Sequence, residues 1–413
     1  MKNNLLVVFV AILLCSCASQ SVIHPNTNTT PTAKQDIIVF LDGTANTEVS
    51  RTNVAMLHNL VTLQPNPNIR SIYVQGVGTD GIFFKPIVGM TTGAGIGEDV
   101  REAYEYISKN YIQDRGDQIY IFGFSRGAYA ARILAGLIYV AGIPQLNDLP
   151  VNTQNDFIED IYTAYKGKKS IDDRRVKIAA ESRGIPFYPA TIEFMGLWDT
   201  VEALGLPNYD ELIENVNDKY VDQICNIKKA AHALSIDDNR AQIFTPISLT
   251  SKEVIKYCKK DISIEDTVDE VWFAGAHSDV GGGYSDSELN GVSLNWMLQQ
   301  ISEFNIVPEN TSVFEDPLGK SHDPSTGFFE VIYKNLNRNI PYYLKATGYN
   351  GGKPKIHSSV FKRLRKVVKG AREFDWMHEG TTKYTRNYPE CFEKAEDKTI
   401  HLKSEQLCFE LVE

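Results

Sequence analysis

The 413-residue chain has no surplus of positive charge, few cysteines and no long apolar run beyond its first residues. Lys and Arg number 42 against 52 Asp and Glu, a formal net charge of −10. A phosphate backbone rewards a basic surface, so nucleic acid is not an expected partner. Two glycine clusters, Gly93/Gly95/Gly97 and Gly281/Gly282/Gly283, lack a Walker lysine and do not fit G-x-G-x-x-G. They read as turns around a site rather than phosphate loops. No Cys/His spacing resembles a zinc site, and neither metal nor cofactor is expected. No repeat of fixed period is visible.

What is present is a globular mix, 43% hydrophobic and 10% aromatic, sufficient for a large core. The length fits one large domain or two ordinary ones. The N-terminus stands apart. "MKNNLLVVFVAILLCSCASQ" carries one early Lys, then an apolar run from Leu5 to Leu14. That run is short for a bilayer span and reads as a signal-peptide core. It ends in Leu14-Cys15-Ser16-Cys17, which resembles a bacterial lipobox. The resemblance implies cleavage after residue 16 and lipidation of Cys17, with membrane contact through that lipid. Ala18 in place of an Asp favours outer-membrane sorting. Residues 17–34 are rich in Asn, Thr, Ser and Pro and read as a flexible tether. The folded domain is expected over residues 35–413, with a C-terminal extension from about 300.

Four cysteines remain in the body, Cys225, Cys258, Cys391 and Cys408, and allow three connectivities. Cys225–Cys258 and Cys391–Cys408 are nearest in sequence, and buried free thiols are the alternative.

Apolar β runs recur along the chain. They lie in "QDIIVFLDGTAN" (35–46), "IRSIYVQGVGT" (69–79), "DQIYIFGF" (117–124), "ATIEFMGLWDTV" (190–201) and "VDEVWFAGAHSDVGGGY" (268–284). Helical patterns lie between them: in 89–111, Val100, Ala103, Tyr104, Ile107 and Tyr111 recur at helical spacing. This alternation predicts an α/β fold, a mainly parallel sheet with helices on both faces. Segments 145–189 and 202–265 read as mixed, partly helical insertions. "GVSLNWMLQQISEF" reads as a further helix.

Gly123-Phe124-Ser125-Arg126-Gly127 matches G-x-S-x-G. Alone the pentapeptide is weak, but here a strand precedes it and an Ala-rich helix pattern follows. That is the context of a nucleophile elbow. The alternative is a serine that merely caps a helix. A hydroxyl needs a base, usually His, oriented by a carboxylate. Asp199 and His277 both follow apolar strands, so all three would meet at the carboxyl ends of the sheet. Other choices stay open: Asp279 for the acid, and His357 for the base. His232 reads as a helix residue that orders the surroundings. The oxyanion donors expected are the amide of Arg126 and that of Gly43 or Thr44. Asp42 is expected to brace their loop.

The blocks "IVFLDGTANT", "GFSRGAYAAR", "GLWDTVEALG", "HALSIDDNRAQIFTPI" and "VWFAGAHSDVGGGY" together resemble the DUF2235 family. That family includes the catalytic domains of type VI secretion phospholipase effectors of the Tle1 type. The resemblance implies an α/β-hydrolase fold, a Ser125–Asp199–His277 triad and lipid ester hydrolysis. The lipobox is a departure, since delivered effectors need no signal peptide. The expected activity is a lipid-anchored serine hydrolase acting on phospholipid or other acyl esters. An esterase on acylated surface polysaccharide and a non-catalytic envelope interaction protein are the alternatives. Finally, "KPKIHSSVFKRLRKVVKGAR" (353–372) has eight Lys or Arg and no acid. With Val360, Phe361, Leu364, Val367 and Val368 on one face, it reads as a basic amphipathic helix, either membrane-facing or packed on the domain.

Overall fold

The computed structural model describes residues 21–24, 32–43, 46–63, 66–76, 94–167, 170–201, 224–240, 244–250, 252–255, 258, 262–286, 288–324, 338, 353–364 and 409–413. The signal segment, Cys17, Thr44, Cys391 and Cys408 lie outside these residues.

In chain order the elements are β1 (Val22–His24), β2 (Asp36–Leu41), α1 (Asn53–Thr62), β3 (Ile69–Val74), α2 (Ala94–Asn110), β4 (Gln118–Phe124) and α3 (Arg126–Ala141). There follow β5 (Ile143–Pro144), α4 (Val151–Tyr165), α5 (Ile171–Glu181), β6 (Phe187–Tyr188), β7 (Ile192–Trp198) and β8 (Ile227–Ser235). The last are α6 (Ile264–Thr267), β9 (Val268–Phe273), α7 (His277–Gly281), α8 (Asn290–Gln300), β10 (Lys355–His357), α9 (Ser358–Leu364) and β11 (Glu410–Val412). Nine strands form one sheet in the order β1-β3-β2-β4-β7-β8-β9-β10-β11, and β5 pairs with β6 apart from it. Every neighbour pair of the large sheet is parallel except β1 with β3.

The chain runs outward from β2 to β3, then returns to β4 on the other side of β2. Strand order therefore reverses between β2 and β4, where open α/β sheets gather their ligands. Strands β2, β3, β4, β7 and β9 are buried on both faces, which explains their unbroken apolar runs. Alternation still sorts the residues. Ile37, Val39, Leu41, Ile119 and Ile121 face α2, α3, α4 and α5. Ile38, Phe40, Tyr120, Phe122 and Phe194 face α1 and α8. On that second side the rings form a ladder across strands, Phe40 to Phe122 at 5.5 Å and Phe122 to Phe194 at 5.9 Å between centroids. Helix α3 is buried almost all round because it lies on the sheet and other helices cover it.

Several expectations change. Residues 22–24 of the expected tether are a strand, β1, added antiparallel to the sheet edge. Segment 202–265 is not only an insertion: it contains β8, a central strand. His232 accordingly sits on a strand, not a helix. After two exposed lysines the run "AAHALS" is buried on both faces, so its composition could not reveal its period. Gly95 and Gly97 belong to α2 rather than a turn. The basic segment 353–372 begins as β10 and α9, and residues 365–372 lie outside the described ones. Its apolar side chains Val360 and Phe361 are buried in the protein, Phe361 stacking on Phe409 at 4.8 Å. They are not available to a membrane.

Cys225 and Cys258 form a disulfide across a sequence separation of 33 residues. The closed loop holds all of β8. Closing a loop of that length restricts the unfolded chain by about 3–4 kcal/mol in the chain-entropy account. The Cys225→Ser/Cys258→Ser double variant should lose stability of that order in urea unfolding. An unchanged midpoint and slope would mean that the bridge contributes nothing.

Candidate active site

Ser125 follows β4 directly and precedes the first residue of α3. Its backbone sits at φ 59° and ψ −124°, a region that a serine occupies only under constraint. Two close approaches impose it. A β-carbon on Gly123 would stand 2.6 Å from the Ala128 Cα, and one on Gly127 would stand 2.1 Å from the Leu41 carbonyl oxygen. Only glycine lets the strand turn this sharply into a helix lying against β2. Ser125 N–H donates to the Trp198 carbonyl (3.0 Å), pinning the turn to β7. The serine side chain makes no helix-capping bond, which sets aside the capping reading.

Asp199 follows β7, also at positive φ (37°), and is fully buried. His277 is the first residue of α7, a few residues beyond β9. The three side chains form a continuous path. Ser125 Oγ lies 2.9 Å from His277 Nε2, and His277 Nδ1 lies 2.5 Å from Asp199 Oδ2. A carboxylate can only accept, so Nδ1 carries the proton and Nε2 faces the serine hydroxyl as acceptor. This is the tautomer a base requires. The imidazole packs between Phe124 and Phe244, with centroids at 4.7 and 4.9 Å.

Residues 35–300 match the catalytic domain of the Tle1-like phospholipase effectors of the type VI secretion system. The chain belongs to that family. A curated relative, an uncharacterized protein of Saccharomyces cerevisiae, is 24% identical over 248 residues, 54% of this chain and 35% of its own length. The solved Tle1 effector bound to the VgrG spike is 20% identical over 65% of this chain and 57% of that chain, with a TM-score of 0.31. A butyrate-bound esterase from Thermogutta terrifontis is 12% identical over 70% of this chain and 91% of that chain, with a TM-score of 0.37. The chain thus spans about a third of the yeast relative (35%) and little more than half of the effector (57%).

In this Tle1-like domain the buried Asp199 has a partner with no signal in the sequence. Arg338 donates from Nη1 to Oδ1 (2.7 Å) and from Nη2 to Oδ2 (2.9 Å). The same guanidinium donates to the carbonyls of Ser235 (2.5 Å) and Phe244 (2.7 Å). Ser235 N–H adds a further bond to Oδ1 at 2.9 Å. Burial pushes the Asp199 carboxyl up, but Arg338 and His277 overcome it and hold it well below the usual carboxylate range. Asp238, whose carboxylate accepts from the His277 amide (3.2 Å), is a second residue that motif reasoning misses. Burial raises it, and Arg240 and Arg338 outweigh burial, bringing it to about 2. Arg240 in turn lies over the Phe244 ring at 3.7 Å. Asp238, Arg240 and Phe244 all fall in a block that carries the family resemblance, which is the signal that could have found them. Arg338 lies outside every such block.

The runner-up residues are engaged elsewhere. Asp279 accepts from the amides of Ala276 (3.0 Å) and His322 (2.9 Å) and pairs with His322 Nδ1 (2.6 Å), bracing its loop rather than His277. His357 pairs with Ser359 Oγ (2.9 Å) and stacks on Phe273, and burial pushes it down to about 4. His232 Nε2 accepts from the Thr200 amide (3.2 Å), so its Nδ1 donates to Glu270 (2.8 Å). It steadies the residue next to Asp199 from a strand.

Asp42 accepts from Tyr73 OH (2.5 Å), Asn46 Nδ2 (3.2 Å) and the Thr52 hydroxyl, and burial pushes it up to about 6. Gly43 lies against Ser125: a β-carbon built on it would stand 3.0 Å from Ser125 Cβ. Its amide, however, donates to Asp42 Oδ1 (2.6 Å), so here that donor serves the loop and not an oxyanion. Arg126 opens α3, and the amides of a helix's first turn point past its end toward negative charge. Gly281 abuts Phe124: a β-carbon there would fall 2.0 Å from the ring. The glycine run is thus packed against the elbow. Among the described residues, no group of three or more His, Cys, Asp or Glu side chains is placed to hold a metal ion.

Arg338 should set the pH profile. A histidine base works only when neutral, so a rate that depends on His277 falls as the pH drops through its pKa. Burial lowers that pKa below the usual 6.5, Asp199 and Asp238 partly opposing and Arg240 adding to it. In Arg338→Met the full charge of Asp199 acts on the imidazolium, the His277 pKa rises, and the acid limb of kcat/KM moves to higher pH. Arg338→Lys should fall between. Reduced kcat with an unmoved acid limb in both variants would reduce Arg338 to a structural role.

Proposed function

We propose that this chain is a lipid-anchored serine hydrolase of the bacterial envelope that cleaves acyl esters of phospholipids or other lipids. The observation that carries the reading is the unbroken hydrogen-bond path from Ser125 through His277 to Asp199 at the carboxyl edge of the sheet. Membership of the Tle1-like family supports a lipid ester as substrate. In this reading Ser125 Oγ attacks the ester carbonyl while His277 Nε2 takes its proton. Asp199 stabilises the imidazolium, and Arg338 holds Asp199 in place. The tetrahedral intermediate places its negative oxygen at the Arg126 amide. His277 then protonates the leaving alcohol, and an acyl group remains on Ser125. A water molecule, deprotonated by the same nitrogen, releases the fatty acid and restores the enzyme. A second oxyanion donor must come from the loop after β2. Gly43 qualifies only if its bond to Asp42 exchanges for one to substrate, and losing such a donor typically costs about 3–4 kcal/mol.

Location follows from the lipobox, with Cys17 lipidated and Ala18 favouring the outer membrane. The Cys225–Cys258 disulfide supports a compartment outside the reducing cytoplasm. Each buried CH₂ of an anchor adds about 0.8 kcal/mol, so several acyl chains hold a protein through washes that strip electrostatic binders.

A fluorophosphonate should label Ser125, and Ser125→Ala should abolish the label. His277→Ala should cut turnover by several orders of magnitude while folding is retained, whereas His357→Ala should be mild. The reverse ranking would move the base to His357. A panel of acyl-labelled phospholipids and soluble acetyl esters decides substrate class; turnover of the soluble esters alone would favour surface polysaccharide. The mature N-terminal peptide should begin at Cys17 and carry the lipid mass. Any other start, unmodified, rules the anchor out.

A further inference from the structure

The antiparallel strand β1 has a consequence for the direction in which the domain faces. Its register places Val22 opposite Tyr73, Ile23 opposite Ile72 and His24 opposite Ser71. Tyr73 lies next to the carboxyl end of β3, where Val74 pairs with Leu41 and Leu41 with Gly123. Followed backward from Val22, the chain therefore leaves the sheet past the same ends that carry Ser125. Five residue steps separate Val22 from Cys17, a reach of at most about 18 Å at roughly 3.3–3.6 Å per residue. Three strand spacings separate β1 from β4, about 14 Å across the sheet. To reach the amino edge instead, the chain would have to reverse, which uses at least two of those residue steps, and then run back the four residues from Tyr73 to Ile69, about 13 Å, with only about 10 Å of chain left. The available length is too short.

From this register we infer that the carboxyl edge of the sheet is a membrane-facing surface, with the Cys17 anchor and the Ser125 nucleophile on the same side of the domain. The inference rests on the proposed lipidation of Cys17. The domain would then act on acyl-ester lipids of the leaflet that holds it.

Exposed apolar side chains lie at this end. Val49, 91% exposed, sits in the loop leaving the carboxyl end of β2. Phe314, 76% exposed, has its carbonyl against Gly291 at the start of α8, next to Asn290, which bonds Asn53 at the start of α1. Both suit a bilayer interface, where apolar side chains gain from leaving water. The formal charge of −10 offers no general attraction to an anionic bilayer, so the covalent lipid is what brings this edge to the surface.

The test is depth-sensitive quenching on the full-length lipidated protein in vesicles of phosphatidylcholine brominated on its acyl chains. Val49→Trp adds a fluorophore at the carboxyl edge. Leu63→Trp adds one at the amino edge, where α1 ends before β3 begins and where Leu63 is 68% exposed. The wild type sets the baseline, and thermal melting checks that each variant is folded. The added emission of Val49→Trp should be quenched at least several-fold more strongly than that of Leu63→Trp. A second carboxyl-edge variant, Phe314→Trp, should behave as Val49→Trp does. Equal quenching at the two edges, or stronger quenching at Leu63, overturns the inference. An N-terminal peptide without lipid overturns it too, by removing the anchor. Loss of all ester turnover with the quenching pattern intact sinks the hydrolase reading and leaves the orientation standing.

Discussion

A single buried negative charge organises the site. The Asp199 carboxylate has no exposure to water, and an isolated charge there would cost several kcal/mol. It is kept ionised by a guanidinium, an imidazole and a backbone amide at once. These partners arrive from three separate parts of the chain: the end of β8, the start of α7 and residue 338. Satisfying one charge therefore fixes the position of His277 relative to Ser125. The arrangement also divides the charge of Asp199 between the Arg338 guanidinium and the His277 imidazole, which moderates how strongly it can hold a second proton on His277.

The second constraint is steric. Both Ser125 and Asp199 occupy positive φ, and such positions persist only where the surroundings over-determine them. At Ser125 the surroundings are backbone atoms: Leu41 of β2 against Gly127, and Ala128 against Gly123. The aliphatic and aromatic faces of the sheet clamp the strands from both sides, so the strained turn cannot relax by tilting. Rigidity at the elbow is thus a property of the whole sheet, not of the pentapeptide.

The chain joins a Tle1-like catalytic domain to an N-terminus that resembles that of a lipoprotein. The join is not a loose linker throughout, because β1 ties residues 22–24 to the edge of the sheet. A strand this short adds little stability on its own. Its effect is geometric: it fixes where the preceding residues emerge.

Much of the candidate site is legible in the amino-acid sequence. Ser125, Asp199 and His277 each follow a run of apolar β residues, and a parallel sheet brings the carboxyl ends of its strands to one edge. Local pattern encodes period and turn chemistry, and those two bring the three residues forward while leaving Asp279 and His357 open beside them. Pattern also misleads where burial erases it. His232 lies where β8 is covered on both faces, so "AAHALS" shows no alternation, and the basic segment 353–372 hides the strand β10. Partners across long separations leave no local trace at all. Arg338 meets Asp199 across 139 residues, and Asp279 turns to His322 rather than His277. Sequence by itself determined the α/β class, the elbow and the residues at the strand ends, because these follow from neighbours along the chain. Which carboxylate holds the histidine, what compensates its charge and where the N-terminus leaves the sheet were decided only by tertiary packing, because each depends on groups that folding alone brings within hydrogen-bond reach.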